Sequence, residues 1–216
     1  MTIQDSFFSN CASAAIGGSV AILNVLTVQI TGCTFTDSLV NVVNASQLVN
    51  PSFQSEKDAS LFFSTGGGIG YGGAVFVAPK YASGVSMSIS SCVFLRCQVL
   101  ATANNYDFLD STGIEGGAFL QGGAFAAGLP LHNKSSAADP GYMLSIAQTS
   151  FTQCMVLFSS NRLSRVSFDV TTGGAISVFD ALPPHLGLDY NAFILPPSRV
   201  VLQDLTFSGE PKRVSV

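Results

Sequence analysis

The chain has no tryptophan, and only 10% of its 216 residues are charged. A soluble domain ordinarily carries about 25% charge. Serine, threonine, asparagine and glutamine are abundant instead, which implies a neutral-polar exterior. The nine basic residues are scattered, and their only close cluster is Lys212-Arg213. With a net charge of -4 and a pI near 4.9, the chain lacks the basic stripe that a phosphate backbone requires, so nucleic acid is not an expected partner. No apolar run approaches the roughly 18 residues of a membrane-spanning helix. The N-terminus shows no basic segment followed by an apolar one, so no signal peptide is read there. No stretch has a convincing helical period. C-x-x-C is absent, and His132 and His185 fall in separate expected loops, so no zinc site is expected.

What the chain does have is an internal repeat. Its core reads apolar-x-x-small-x-Phe-x-x-small/Cys. The copies are Ile3-Ser6-Phe8-Cys11, Ile30-Cys33-Phe35-Ser38, Ile89-Cys92-Phe94-Cys97, Ile146-Thr149-Phe151-Cys154 and a degenerate Leu202-Leu205-Phe207-Glu210. Between them falls a second signature of two glycines, a small residue and an apolar pair. It appears at Gly17-Gly18-Ser19, Gly72-Gly73-Ala74, Gly116-Gly117-Ala118, Gly122-Gly123-Ala124 and Gly173-Gly174-Ala175. Self-similarity of this kind marks a stacked, quasi-one-dimensional architecture.

Within a copy the alternation is of period two, as in Val28-Gln29-Ile30 and Cys33-Thr34-Phe35, which is strand chemistry. The spacing of three from Ile30 to Cys33 breaks the alternation and predicts a bend at Thr31-Gly32. The same break recurs at Ser90-Ser91, at Ala147-Gln148 and after each Phe. Short strands between tight bends predict an all-β, parallel β-helix solenoid with a column of stacked Phe rings inside. The double glycines supply corners that need positive φ or close approach. Gly68-x-Gly70-x-x-Gly73 also fits a dinucleotide-binding pattern, but a following helix and acidic partner are missing. Phe8 and Phe35 are 27 residues apart; later Phe spacings are 59, 57 and 56. The excess is either extruded loops or one further weak coil per interval. Expected loops are 41–65, 101–115, 128–140 and 180–198, rich in turn-forming residues. The expectation is a single repeat domain over residues 1–216. With no cap evident before Ile3 or after Phe207, it reads as a fragment of a longer repeat protein.

Cys11, Cys97 and Cys154 share one repeat column, and Cys33 and Cys92 another. Cysteine in register with a repeat is expected as a small buried hydrophobe. If copies lie on neighbouring rungs, a column pair falls within disulfide range, and Cys11, opposite Ser38, stays free. An intervening coil would put the pairs out of reach. Glycoside hydrolysis needs two carboxyl groups roughly 5–9.5 Å apart. Asp5 and Asp204 fall in copies at opposite ends, and Asp5, Asp37 and Asp204 are expected at different places in their repeats, while Glu56/Asp58 and Asp107/Asp110 lie in expected loops. A threonine ladder is not evident, since Thr27, Thr34 and Thr36 belong to one copy. Arg162 and Arg165 read as a solvated turn, with contact to acidic sugars as the alternative. No catalytic, cofactor-binding or metal-binding residue is assigned.

The pairs Gly73-Ala74-Val75, Gly123-Ala124-Phe125 and Gly174-Ala175-Ile176, with Phe8-Ser9-Asn10-Cys11, Phe35-Thr36-Asp37-Ser38, Phe94-Leu95-Arg96-Cys97 and Phe151-Thr152-Gln153-Cys154, resemble the repeats of polymorphic outer-membrane proteins. Related repeats occur in large surface proteins of the right-handed parallel β-helix, pectin-lyase-like superfamily. The chain departs from that pattern where the family usually has Asn and this sequence has Cys or Ser. The resemblance implies a right-handed β-helix in an extracellular or cell-surface protein. It implies adhesion or scaffolding, with carbohydrate or cell-wall components as partners. A polysaccharide-binding or polysaccharide-degrading module is the alternative. Sequons at Asn44 and Asn133 fit export.

Overall fold

The computed structural model describes residues 1–14, 16–42, 69–79, 85–102, 119–129, 132–133, 142–159, 170–172, 174–180, 193–194 and 198–209. Among them every regular element is a β-strand. The isoleucine copies form one parallel five-stranded sheet, in the order Thr2–Gln4, Thr27–Thr31, Val85–Ser90, Tyr142–Ala147 and Ser198–Gln203. Phe7–Ser9, Thr34–Thr36, Val93–Leu95, Ser150–Thr152 and Thr206–Ser208 form a second in the same order. The remaining parallel sheets follow the same succession. Ala12–Ser13, Leu39–Val42, Gln98–Thr102 and Met155–Ser159 make one. Ile69–Tyr71, Phe119–Gln121 and Val170–Thr172 make the next. Val20–Val25, Val75–Pro79, Phe125–Leu129 and Ile176–Asp180 make the last.

Register decides between the two accounts of the long spacings. Ile3 pairs with Ile30, Ile30 with Ile89, Ile89 with Ile146 and Ile146 with Leu202. Consecutive copies are therefore direct neighbours, and no further layer intervenes. Extra length enters between fixed strands: residues 43–68 and 103–118 follow the third sheet, and 80–84 and 181–192 follow the last. The expected loops at 41–65, 101–115 and 180–198 lie mostly outside the described residues, as does the Gly116-Gly117 copy of the double glycine. Of the expected loop at 128–140, the described residues are the end of strand Phe125–Leu129 and a short strand His132–Asn133 that pairs antiparallel with Phe193–Ile194; the rest lies outside the described residues. His132 thus sits in a strand, which no alternation in the sequence signals.

Each bend is one residue in the left-handed region. After the isoleucines these are Asp5, Gly32, Ser91, Gln148 and Asp204, with φ from 44° to 65°. After the phenylalanines they are Asn10, Asp37, Arg96 and Gln153, with φ of 53–54°. A single such residue accounts for the spacing of three. The ladder continues through the bend, since the N–H of Gly32 donates to Ser90 O and that of Ser91 to Ala147 O in the next layer. The small residue two places after each isoleucine-column carbonyl caps it. Ser6, Cys33, Cys92 and Thr149 donate to the carbonyls of Gln4, Thr31, Ser90 and Ala147 at 2.7, 3.4, 3.2 and 2.8 Å. Cys11, Cys97 and Cys154 do the same in the second bend. The small residue of the repeat is thus set by space and by the need for a donor.

Inside, Phe8, Phe35, Phe94, Phe151 and Phe207 stack at centroid separations of 4.9, 4.8, 5.0 and 5.3 Å, nearly parallel. Phe35, Phe94 and Phe151 are buried. They belong to a large apolar cluster with Ile30, Met87, Ile89, Leu144 and Phe125. A smaller cluster of Val40, Val42, Val99 and Leu120 lies apart. The second glycines of the pairs, Gly18, Gly73 and Gly123, lie against the backbone of Leu39, Gln98 and Met155. Gly72 takes φ of 63°. A Cβ on Gly73 would come within 1.9 Å of Gly123 O and 2.6 Å of the Gln98 backbone. The chain is pinched there, and no larger residue fits. Val75–Pro79, a strand, follows these glycines, so the dinucleotide pattern lacks its helix.

Candidate binding face

Alternation puts every second residue of the first two sheets outward. In the isoleucine sheet the outward columns are Thr2, Gln29, Ser88, Ser145 and Val201; Gln4, Thr31, Ser90, Ala147 and Gln203; and Thr27, Ser86, Met143 and Arg199. In the phenylalanine sheet they are Phe7, Thr34, Val93, Ser150 and Thr206, and Ser9, Thr36, Leu95, Thr152 and Ser208. Arg199, exposed in the last layer, is the one charged side chain among them. Hydroxyl and amide groups predominate, punctuated by the exposed apolar side chains Phe7 and Val93. Neighbouring layers are about 4.8 Å apart, so the groups form a regular lattice. Some hydroxyls bond along a column: Thr31 Oγ1 and Ser90 Oγ lie 3.2 Å apart, Thr152 Oγ1 and Ser208 Oγ 2.8 Å. A search for threonine alone misses these columns, because serine shares each of them. Reading Ser and Thr together at fixed repeat positions would have found them.

Apart from Arg199, the charged side chains of these two sheets sit in the bends. Arg96 donates two hydrogen bonds to Asp37 in the layer before, at 2.6 and 2.7 Å. That hydrogen bonding holds the Asp37 carboxyl below its ordinary range, and the Arg96 charge adds to the effect. The expectation of different repeat places is corrected for Asp5 and Asp204, which share the other bend column because each follows its aliphatic residue by two; they sit in its first and last layers, roughly 19 Å apart at about 4.8 Å per layer. That exceeds the separation of either glycosidase geometry. No group of three or more His, Cys, Asp or Glu side chains is placed to hold a metal among the described residues. Glu56, Asp58, Asp107, Asp110, Arg162, Arg165, His185 and Asn44 lie outside the described residues. Asn133 lies in the short antiparallel pair.

The cysteine columns are direct neighbours in both cases. Cys33, Cys92 and Cys97 are buried, while Cys11 and Cys154 are partly exposed; all five are free thiols. Each thiol of the inner layers also reaches the layer before. Cys33 donates to Ile3 O, Cys92 to Ile30 O, Cys97 to Phe35 O and Cys154 to Phe94 O, at 3.5–3.7 Å. Burial pushes the Cys92 thiol up to about 11. It also raises the Tyr71 phenol, which stacks on Phe76. No helix among the described residues is long and apolar enough to cross a membrane. No protein-family model, curated protein or solved structure matches the chain.

Proposed function

We propose that the chain is a right-handed parallel β-helix that acts without catalysis, as an adhesive or scaffolding module outside the cell or on its surface. Its outward lattice would dock neutral polysaccharide. The observation that carries this reading is the hydroxyl- and amide-rich exterior of the two five-stranded sheets, held in strict register and charged only at Arg199 in the last layer. Hydroxyl and amide side chains both donate and accept, which matches the hydroxyl groups of sugars. The interspersed Phe7, Val93, Leu95 and Met143 offer apolar contact to the C–H faces of sugar rings. The resemblance of the Gly-Gly-Ala and Phe-x-x-Cys elements to surface-protein repeats supports the same location.

Co-sedimentation with insoluble cellulose or chitin tests it, with pectate as the charged comparison. Binding to a neutral polymer should survive about 0.5 M salt, because no ion pair is involved. Thr152→Glu and Thr36→Glu should each weaken it at least tenfold while leaving the far-ultraviolet circular dichroism unchanged. Absence of binding to every neutral polymer, or binding indifferent to both variants, would sink the proposal.

A further inference from the structure

We propose that Cys97 and Cys154 form an oxidisable pair, a site of reversible disulfide modification that clips two adjacent layers together. The two residues sit in one column. Arg96 N–H donates to Thr152 O at 2.8 Å on one side, and Met155 N–H to Cys97 O at 3.0 Å on the other. Their backbones are therefore direct parallel neighbours, about 4.8 Å apart, inside the Cα range of roughly 4.4–6.8 Å that a disulfide takes.

Three features single out this pair. Cys154 is partly exposed, so an oxidant can reach it, whereas Cys33 and Cys92 are both buried. The thiol of Cys97 can donate to a Cys154 thiolate, which favours ionisation of Cys154 first and holds Cys97 protonated. Cys11 is cut off from Cys97 by Ser38, which occupies the layer between them. Two layers exceed disulfide reach.

The oxidant is a low-molecular-weight disulfide. Cys154 loses its proton to solvent, and its thiolate attacks one sulfur of that disulfide. A Cys154 mixed disulfide forms and one small thiolate leaves, taking up a proton. Cys97 then gives up its proton and attacks the Cys154 sulfur. The protein disulfide forms as the second small thiol departs. Two electrons pass from the protein to the reagent, and excess dithiol reverses the sequence.

The test uses the whole native chain at about pH 8 with oxidised glutathione, followed by thiol counting after denaturation and by peptide mapping. The count should fall from the five cysteines of the chain by two, with one cross-linked peptide joining Cys97 to Cys154 and full recovery in dithiothreitol. Cys11→Ser should give the same cross-link, and Cys154→Ser should give none. Retention of all five thiols, a persistent glutathione adduct on Cys154, or a cross-link between any other pair would overturn the proposal. Because the mapping is done on the unaltered chain, a variant that fails to fold cannot obscure the answer.

Discussion

At the scale of single residues the architecture rests on positions where no freedom is left. Gly73 is the sharpest case. Its missing side chain is required by the Gly123 carbonyl of the next layer and by the Gln98 backbone beside it. Contacts to backbone cannot be relieved by turning a rotamer, so Gly73→Ala must push whole layers apart. We expect a loss of about 1–3 kcal/mol or more, read as a lower urea midpoint. At Gly174 an added Cβ would meet nothing within 4 Å, so this position should accept alanine with little change. Equal losses at the two sites would contradict the close-approach account. The bend residues carry a milder constraint. Asp37, Ser91, Arg96 and Gln148 hold left-handed backbone although they are not glycine, at a cost of roughly 1–2 kcal/mol each. The unbroken ladder through each bend offsets that cost.

At the scale of elements, the phenylalanine column is the organising feature. Stacked pairs contribute about 0.5–1.5 kcal/mol beyond their burial, and Phe94 has a partner on each side. Phe94→Ala should cost about 3–5 kcal/mol. Phe207 stacks on one side only and is 59% exposed, so Phe207→Ala should cost far less. Comparable denaturant midpoints for the two variants would defeat this reading. The strands, bends and Phe column were legible in the sequence because each depends on local alternation and on a donor or glycine at a fixed offset. Other features were not. Whether Ile30 meets Ile89 directly depends on where the residues between them go, and spacing alone left two answers. The outward lattice escaped notice because Thr36 and Leu95 are neighbours, and the hydroxyl returns only with Thr152. The pairing of His132–Asn133 with Phe193–Ile194 has no alternating pattern to announce it.

At the scale of the whole molecule, length variation and surface chemistry are separated. The added segments enter after the third and last sheets, and the first two sheets keep one-residue bends between them throughout. The faces of these two sheets can therefore stay regular while the chain grows elsewhere. The same register has a kinetic consequence. Ile3 finds its partner 27 residues away, but the later isoleucines must find theirs at separations of 59, 57 and 56. Almost no stabilising pairing is local, so the search must close long loops before any reward arrives. Refolding from urea should take milliseconds to seconds or longer, and stopped-flow fluorescence from the tyrosines would report it; completion within microseconds would be incompatible with this pairing. The compact first pass is the cheapest loop to close, and it would be the natural place for folding to begin.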